Sequence, residues 1–254
     1  MTVDFADKKP SWFGRLANPG QFLAWSKPFV VPLSVLTAVL FAIGLYFALF
    51  DSPPDYQMGE TVRIMYIHVP NAWLSQFVYA VMAVASIGTL VWRHPLADVA
   101  AKSAAPLGAV FTGLALITGS LWGRPTWGTF WEWDGRMTST LILFLIYLGI
   151  VALWRAFEDS GRAGRVIAVF TLVGALDIPV VKFSVDWWNS LHQPASISLM
   201  GGEHMPPAML LPLGIMTLAF TLLFVVLHIV RIRTEILRRR AETLERQAAT
   251  RVAG

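Results

Sequence analysis

The sequence predicts an all-α polytopic membrane protein with six transmembrane helices. Of the 254 residues, 56% are hydrophobic and only 14% are charged, whereas a soluble domain carries about 25% charged residues. The apolar residues also come in six blocks, each close to the roughly 17–25 residues that a helix needs to cross a bilayer. The predicted spans are about 28–50, 73–92, 104–121, 139–154, 166–183 and 208–230.

The distribution of Lys and Arg predicts the orientation. An even number of spans places both termini on one side, and that side carries sixteen of the twenty basic residues. Because basic residues stay on the cytoplasmic side, we expect both termini in the cytoplasm. The predicted organisation is a cytoplasmic or interfacial segment 1–27, a single membrane domain 28–230 and a cytoplasmic basic tail 231–254 that continues as a solvated helix. Three loops then face outward, at 51–72, 122–138 and 184–207.

Composition also excludes several kinds of site. The chain has no cysteine, which rules out disulfides, thiolate metal sites and covalent attachment of a cofactor through its own sulfur. The net charge of +4 comes from residues at membrane flanks, where topology explains them, so we expect no nucleic-acid partner. A phosphate-binding GxxxxGK[ST] motif is lacking, so the chain is not expected to hydrolyse nucleotides.

The stretch WGRPTWGTFWEWD, residues 122–134, holds four tryptophans and one phenylalanine in the predicted loop between helices 3 and 4. An aromatic belt places single rings at span ends, so this cluster exceeds what a belt explains. If the stretch is helical, one face carries Trp127, Phe130, Trp131 and Asp134. Gly135 would then end the helix. This pattern predicts a flat aromatic shelf at the membrane surface, suited to a large, planar, apolar ligand.

Charged residues bracket the shelf. Arg124 and Arg136 either pair with anionic groups on the rim of the ligand or contact lipid phosphate. Asp134 ends the aromatic run, and an acid in that position is expected to pair, with Arg124 or Arg136 as candidates. The sequence does not separate a structural pair from a functional one.

The chain has five histidines, and they fall into two groups by the side of the membrane on which each is predicted to lie. His94 and His228 lie toward the inner side and are expected to be structural or solvated. His68 and His192 come from the outer loops on either side of the shelf, whereas His204 lies in a Gly- and Pro-rich turn. A single loop histidine is usually solvated, but haem iron commonly takes one or two histidines as axial ligands. Two histidines flanking an aromatic shelf therefore indicate a haem site.

Three motifs carry a family resemblance: MYIHVP, WGRPTWGTFWEWDGRMTS and WWNSLHQP, in this order. Together they resemble the heme exporter protein C family, the C subunit of the system I cytochrome c maturation machinery, with its tryptophan-rich WWD signature. The resemblance covers about residues 25–230. Phe130 stands where some relatives are expected to carry Trp; the phenyl ring can still stack but lacks an N–H donor.

The resemblance implies a site for b-type, non-covalent haem on the periplasmic face of the bacterial inner membrane. It implies that His68 and His192 are the axial ligands of the haem iron and that Arg124 and Arg136 contact the propionates. The implied haem platform comprises Trp122, Gly123, Trp127, Phe130, Trp131, Trp133 and Asp134.

The resemblance also implies partners. The family presents haem to a membrane-anchored haem chaperone, the E subunit, which binds it covalently. An ATP-binding A subunit, a permease B subunit and a small single-span D subunit complete the assembly, which is embedded in membrane lipid. The chain is then a delivery subunit of an ABC transporter complex and not an enzyme.

Two alternatives stay open, a haem transporter proper and a b-type cytochrome that transfers electrons. Asp177 lies inside the fifth span, and an intramembrane acid is a functional candidate by default. Pro179 should kink the helix there. Asp177 either marks an access route for haem or forms a buried structural pair, with Lys182 as the candidate partner. The roles of Asp177 and His204 are not decided by the sequence.

Overall fold

The chain folds into a bundle of apolar helices. The computed structural model describes residues 18–157, 160–188, 190–192 and 205–253, and no strand occurs among them. Six helical segments in these ranges are long and apolar enough to cross a membrane. They are Pro19–Asp51, Glu60–Val91, Ala97–Trp127, Gly135–Ala156, Ala163–Trp187 and Pro207–Arg251. The predicted all-α class with six transmembrane helices is therefore confirmed, and the protein is a multi-pass membrane protein.

Each predicted span lies within one helical segment except for Trp92, which caps the second, and the fifth span is divided in two. The helices are α1 (Pro19–Tyr46), α2 (Met65–Val91), α3 (Ala97–Trp127), α4 (Gly135–Ala156), α5 (Ser160–Gly174), α6 (Asp177–Trp187) and α7 (Pro207–Ala253). One turn of π-helix, Phe47–Asp51, extends α1, and a short 3₁₀ turn, Glu60–Ile64, precedes α2. The limits of the membrane domain and of its two tails stay predictions.

Capping residues set the helix ends near the aromatic cluster. Gly128 ends α3 in the left-handed region, with φ of 81°, a conformation that glycine adopts without strain. Asp134 begins α4 as its N-cap, because its Oδ1 accepts the backbone N–H of Met137 at 2.7 Å. Acids are favoured at this position because they accept N–H groups that have no partner within the helix.

Two tyrosines occupy the centre of the bundle. The rings of Tyr79 and Tyr147 pack edge to face with centroids 5.1 Å apart, and neither side chain is exposed. The Tyr79 hydroxyl donates to the carbonyl of Thr171 at 3.0 Å, and the Tyr147 hydroxyl donates to that of Ser75 at 2.8 Å. These bonds join α2 to α5 and α4 to α2, and they satisfy polar groups that find no water in a bilayer.

The fifth span breaks where the sequence places Pro179. α5 ends at Gly174 and α6 begins at Asp177, with a turn between them. Proline lacks an N–H, so it is tolerated in the first turn of α6 but not in the middle of a continuous helix. The Asp177–Lys182 pair does not form: Lys182 is exposed, and Asp177 Oδ2 is buried with no hydrogen-bond partner among the described residues.

The bundle has two chemically different ends. We call the end that carries residues 128–134 the aromatic end, and the opposite end, where α3 begins, the basic end. α7 continues as one helix through the basic end to Ala253, as expected for the tail. Which end faces the cytoplasm stays a prediction from the Lys and Arg distribution.

Candidate functional site

The tryptophan-rich stretch is partly helix and partly extended chain. α3 continues through Trp127, and the N–H of Gly128 bonds to the carbonyl of Arg124 at 3.0 Å to close the helix. The chain then lies outside helices until Asp134 caps α4. The predicted two-turn helical face through 127, 130, 131 and 134 is therefore wrong. Gly128, not Gly135, ends the helix. The left-handed conformation of Gly128 and the N-cap at Asp134 determine the local backbone, and the helical spacing of the aromatic residues does not.

Aromatic rings nevertheless cover this end. The Trp131 and Trp133 rings lie 5.3 Å apart in an edge-on arrangement, and the Arg124 guanidinium lies over the Phe130 ring at 5.5 Å. Phe130 is 55% exposed and Trp133 is 73% exposed. The surface is folded instead of flat, and two of its rings remain open to a ligand or a partner.

His68 lies in the first turn of α2, and the prediction that it lies in a loop is wrong. Its Nδ1 is 3.1 Å from the carbonyl oxygen of Ala115 and 3.2 Å from Thr118 Oγ1, both on α3. A carbonyl only accepts, so Nδ1 carries a proton and Nε2 keeps a free lone pair in the neutral ring. The close approach needs Gly119, because a Cβ there would lie 2.9 Å from His68 Cε1. The Trp122 ring packs edge-on at 5.7 Å.

His192 follows α6 in an irregular segment, as predicted, and is held by an acid. Its Nδ1 is 2.7 Å from Asp134 Oδ2. Ser190 Oγ donates to the same carboxylate oxygen and accepts the backbone N–H of His192 at 3.1 Å. The Trp127 ring lies 4.6 Å from the imidazole. Asp134 therefore pairs with His192, and neither Arg124 nor Arg136 forms an ion pair with it.

Local environment sets the charge of this pair. Burial raises the pKa of Asp134, but hydrogen bonds from Ser190, the Met137 N–H and His192 outweigh it, so the pKa lies below the ordinary 3.8. Burial lowers the pKa of His192 below the ordinary 6.5 and outweighs the opposing effect of Asp134. At neutral pH Asp134 is ionised and His192 is neutral. The imidazole therefore donates through Nδ1 and keeps Nε2 for a metal ion.

Both histidines line one cavity of about 240 Å³, which α2, α3, α4 and α6 enclose. Arg136 also lines it, held by Ser184 Oγ and by the carbonyl of Lys182, each at 3.3 Å. Arg124 does not; its guanidinium donates to the carbonyl of Gly128. The sequence predicted the same role for Arg124 and Arg136, but only Arg136 lines the cavity.

The family profile described as heme exporter protein C matches residues 12–247. The chain belongs to the heme exporter protein C family. It is 62% identical over 238 residues to the heme exporter protein C of Bradyrhizobium diazoefficiens, which covers 94% of this chain and 90% of that protein. It is 42% identical over 218 residues to the Escherichia coli K12 protein of the same name, covering 86% and 85%. For the Paracoccus denitrificans protein of that name the identity is 44% over 223 residues, covering 87% and 92%.

Several residues that contact His68 or His192, or that line the cavity, were not predicted from the sequence. Thr118 and Gly119 precede Trp122 by four and three residues, so all three lie on one face of α3. Helical spacing could therefore have pointed to them. Ser190 precedes His192 by two residues, a spacing at which a hydroxyl reaches a nearby backbone N–H. The cavity wall further includes Ala72, Ser75, Gln76, Leu116, Met137, Thr140, Val181, Lys182, Val185 and Asp186.

The remaining histidines lie elsewhere. His228 Nε2 is 2.9 Å from the carbonyl oxygen of Ala100, and the ring stacks on Phe224 at 5.1 Å. His94 Nδ1 accepts the backbone N–H of Leu96 at 3.3 Å. Both belong to the basic end and have structural partners. His204 lies outside the described residues.

Proposed function

We propose that this protein binds haem non-covalently at the aromatic end, with His68 and His192 as axial ligands. It then delivers the haem to the membrane-anchored haem chaperone for c-type cytochrome biogenesis. One observation carries the proposal. Two histidines from distant parts of the chain line the same cavity, and each uses Nδ1 in a hydrogen bond that leaves Nε2 free. A pair of neutral imidazoles suits haem iron.

The other side chains around the histidines suit the rest of a porphyrin. Trp122 and Trp127 each pack against one of the two imidazoles, and aromatic rings stack favourably on a planar ligand. Trp122 Nε1 and Trp131 Nε1 are buried without a hydrogen-bond partner among the described residues, so both N–H groups are unused donors. Arg136 brings positive charge to the cavity wall, where an anionic propionate could pair with it.

The dimensions of the cavity favour delivery over storage. Ligand pockets usually measure about 300–1,000 Å³, and this cavity is smaller, at about 240 Å³. A porphyrin held there would lie only partly inside. The exposed rings of Phe130 and Trp133 lie on the connection between α3 and α4. One edge of the haem would therefore stay accessible to the chaperone.

The partners and the location belong to the same proposal. Membership of the heme exporter protein C family supports assembly into a heme exporter complex. We propose the ATP-binding A, permease B and small D subunits as its other members, and the E subunit as the acceptor of haem. The chain itself acts as a delivery subunit and not as an enzyme. The basic residues near α7 support a cytoplasmic basic end, which would place the haem site on the periplasmic face of the inner membrane.

No observation among the described residues favours the alternative functions. A b-type cytochrome needs paired histidines within the bilayer, but His228 bonds to the carbonyl of Ala100. A transporter proper needs a polar route across the membrane. Asp177 is the candidate marker for such a route, and its buried Oδ2 forms no hydrogen bond in the described part of the chain.

The visible absorption spectrum of the purified protein tests haem binding. We expect a six-coordinate bis-histidine spectrum for the wild type and loss of that spectrum in both His68→Ala and His192→Ala. His94→Ala, at the basic end, is the matched control and should retain it. If all four proteins give the same spectrum, or the wild type binds no haem, the proposal is wrong.

Delivery needs a separate measurement. The E subunit is co-expressed with each variant, and haem covalently bound to it is measured by haem stain of the denatured protein. We expect staining with the wild type and His94→Ala and strongly reduced staining with His68→Ala and His192→Ala. Normal staining with a variant that binds no haem would show that delivery to the E subunit does not depend on this site.

A further inference from the structure

The basic end carries a second concave site, unrelated to the aromatic end. A groove of about 440 Å³ lies between the N-terminus of α1, the start of α3 and the part of α7 at the basic end. Its walls are apolar except for two arginines and one threonine. They comprise Pro19, Pro95, Leu96, Val99, Ile236, Arg239, Arg240, Thr243 and Leu244.

Arg239 is held in a fixed position at this groove. Its Nη1 lies 2.8 Å from Asp98 Oδ2, and its Nε lies 2.9 Å from Glu235 Oε1. Lys102 Nζ binds the same Glu235 oxygen at 2.8 Å. Arg239 Nη2 is buried and has no hydrogen-bond partner among the described residues. The arrangement joins α3 to α7 and leaves one guanidinium donor unused.

Arg240 supplies a charge that is not neutralised by an acid in the described part of the chain. It is exposed, and none of the ion pairs found there includes it. Its guanidinium lies over the first turn of α1, where a Cβ on Gly20 would be 3.2 Å from Arg240 Nη2. The N-terminal turn of a helix adds positive partial charge at the same place. The rim of the groove is therefore cationic.

The groove also lies at the level expected for lipid headgroups. Trp25 is 60% exposed and Trp92 is 72% exposed near this end, and tryptophan collects at membrane boundaries. Pro19 precedes Trp25 by six residues, roughly 9 Å along a helix. Ile236 lies one helical turn closer to the membrane than Arg240, and Leu244 lies one turn further from it, so the arginines stand between two apolar parts of the wall.

We propose that this groove binds an acidic phospholipid. The phosphate would contact the exposed guanidinium of Arg240, beside the fixed charge of Arg239, and the glycerol and first methylene groups would lie along Leu96 and Ile236. Basic pockets between transmembrane helices on the cytoplasmic side recognise anionic headgroups in this way. An apolar wall next to the charge favours a lipid over free phosphate, which has no part that could cover it.

Native mass spectrometry of the full-length protein tests this site. The protein in detergent is titrated with phosphatidylglycerol or with phosphatidylcholine of the same acyl chains. We expect tighter binding of phosphatidylglycerol, and Arg240→Ala should weaken that binding about fivefold, the effect of one basic residue near a membrane surface. Arg246→Ala removes an exposed arginine that lies on α7 but not in the groove, so it should change nothing.

Three results would overturn the proposal. Equal loss in both variants, or equal binding of the two lipids, would mean only general attraction to a basic tail. Displacement of phosphatidylglycerol by inorganic phosphate would identify a site for free phosphate instead. Arg240→Lys keeps the charge and should retain most of the binding; this variant separates a binding effect from damage to the fold.

Discussion

His68 and His192 line the same cavity but are held in different ways. His68 belongs to a transmembrane helix, and its Nδ1 bonds to a backbone carbonyl and to the hydroxyl of Thr118 on the neighbouring helix. His192 belongs to an irregular segment, and its Nδ1 bonds to the buried carboxylate of Asp134. One ligand is fixed by packing between helices, the other by a charged hydrogen bond.

If both imidazoles hold haem iron, as proposed, the two histidines contribute to its binding in different ways. A carboxylate behind a histidine orients the ring and raises its basicity as a ligand, whereas a carbonyl orients it without adding charge. We therefore expect His192 to be the more basic ligand of the iron, and His68 to contribute mainly through the fixed orientation of its ring. Because Asp134 also caps α4, the His192 half of the site depends on the fold of the neighbouring helix.

The largest effect should come from Asp134→Ala. Loss of such a carboxylate partner typically weakens metal binding about 10–100-fold, and loss of the N-cap costs about 1 kcal/mol in the stability of α4. Haem titration of the purified protein measures the first effect, and thermal unfolding measures the second. Haem affinity within a factor of two of the wild type would show that His192 does not need its acid.

Asp134→Asn separates the two roles. Asparagine caps a helix about as well as aspartate, so the stability of α4 should be retained. The negative charge behind His192 is lost, so haem affinity should still fall, though less than in Asp134→Ala. If asparagine restores full affinity, only the geometry of the hydrogen bond matters, and the comparison between the two histidines loses its electrostatic basis.

The next largest effect is expected where His68 packs closely against α3. Gly119→Ala would place a Cβ 2.9 Å from His68 Cε1, and overpacking of this kind costs about 1–3 kcal/mol. The ring must shift from its place, so we expect haem affinity to fall about tenfold. Gly113→Ala is the control on the same helix, since its Cβ would meet Phe144 at 3.3 Å and not a histidine. Equal affinity in the two variants would mean that His68 is not held by close packing.

The sequence predicted the fold well because membrane spans depend on local composition. Every predicted span corresponds to helical chain, with one break in the fifth, since about twenty apolar residues in lipid have few other solutions. The helix ends were harder to predict. Spacing of Trp127, Phe130 and Trp131 suggested one helical face, but the backbone preferences of Gly128 and Asp134 decided the local structure.

Part of the candidate cavity could be anticipated from the sequence. His68 and His192 stood out because each lies near a span end beside aromatics, and both line the cavity. The partner of Asp134 could not be predicted, because it lies 58 residues away in sequence and is set by tertiary packing. The sequence likewise could not show that Arg136 lines the cavity and Arg124 does not, because this depends on how α4 packs against α6.

Arg136→Ala should have a smaller effect than the changes near the histidines. Arg136 lines the cavity and Arg124 does not. A partly exposed ion pair contributes about 0.2–1 kcal/mol, so haem affinity should fall up to about fivefold in Arg136→Ala and stay unchanged in Arg124→Ala. Haem titration of both variants checks this. Equal losses in the two variants would mean that the propionates contact both arginines, as the sequence alone suggested.

The smallest effect should come from Thr118→Val, which removes one of the two acceptors beside His68 Nδ1. Valine has nearly the same shape, and the carbonyl of Ala115 remains at 3.1 Å, so the ring keeps its orientation. A typical hydrogen bond contributes about 0.5–1.5 kcal/mol, and with the second acceptor retained we expect about a twofold loss of haem affinity. Thr126→Val removes an exposed hydroxyl further along α3 as the control. A loss as large as that of Asp134→Ala would show that hydrogen bonding, and not helix packing, holds His68, so that the two ligands would be held in the same way.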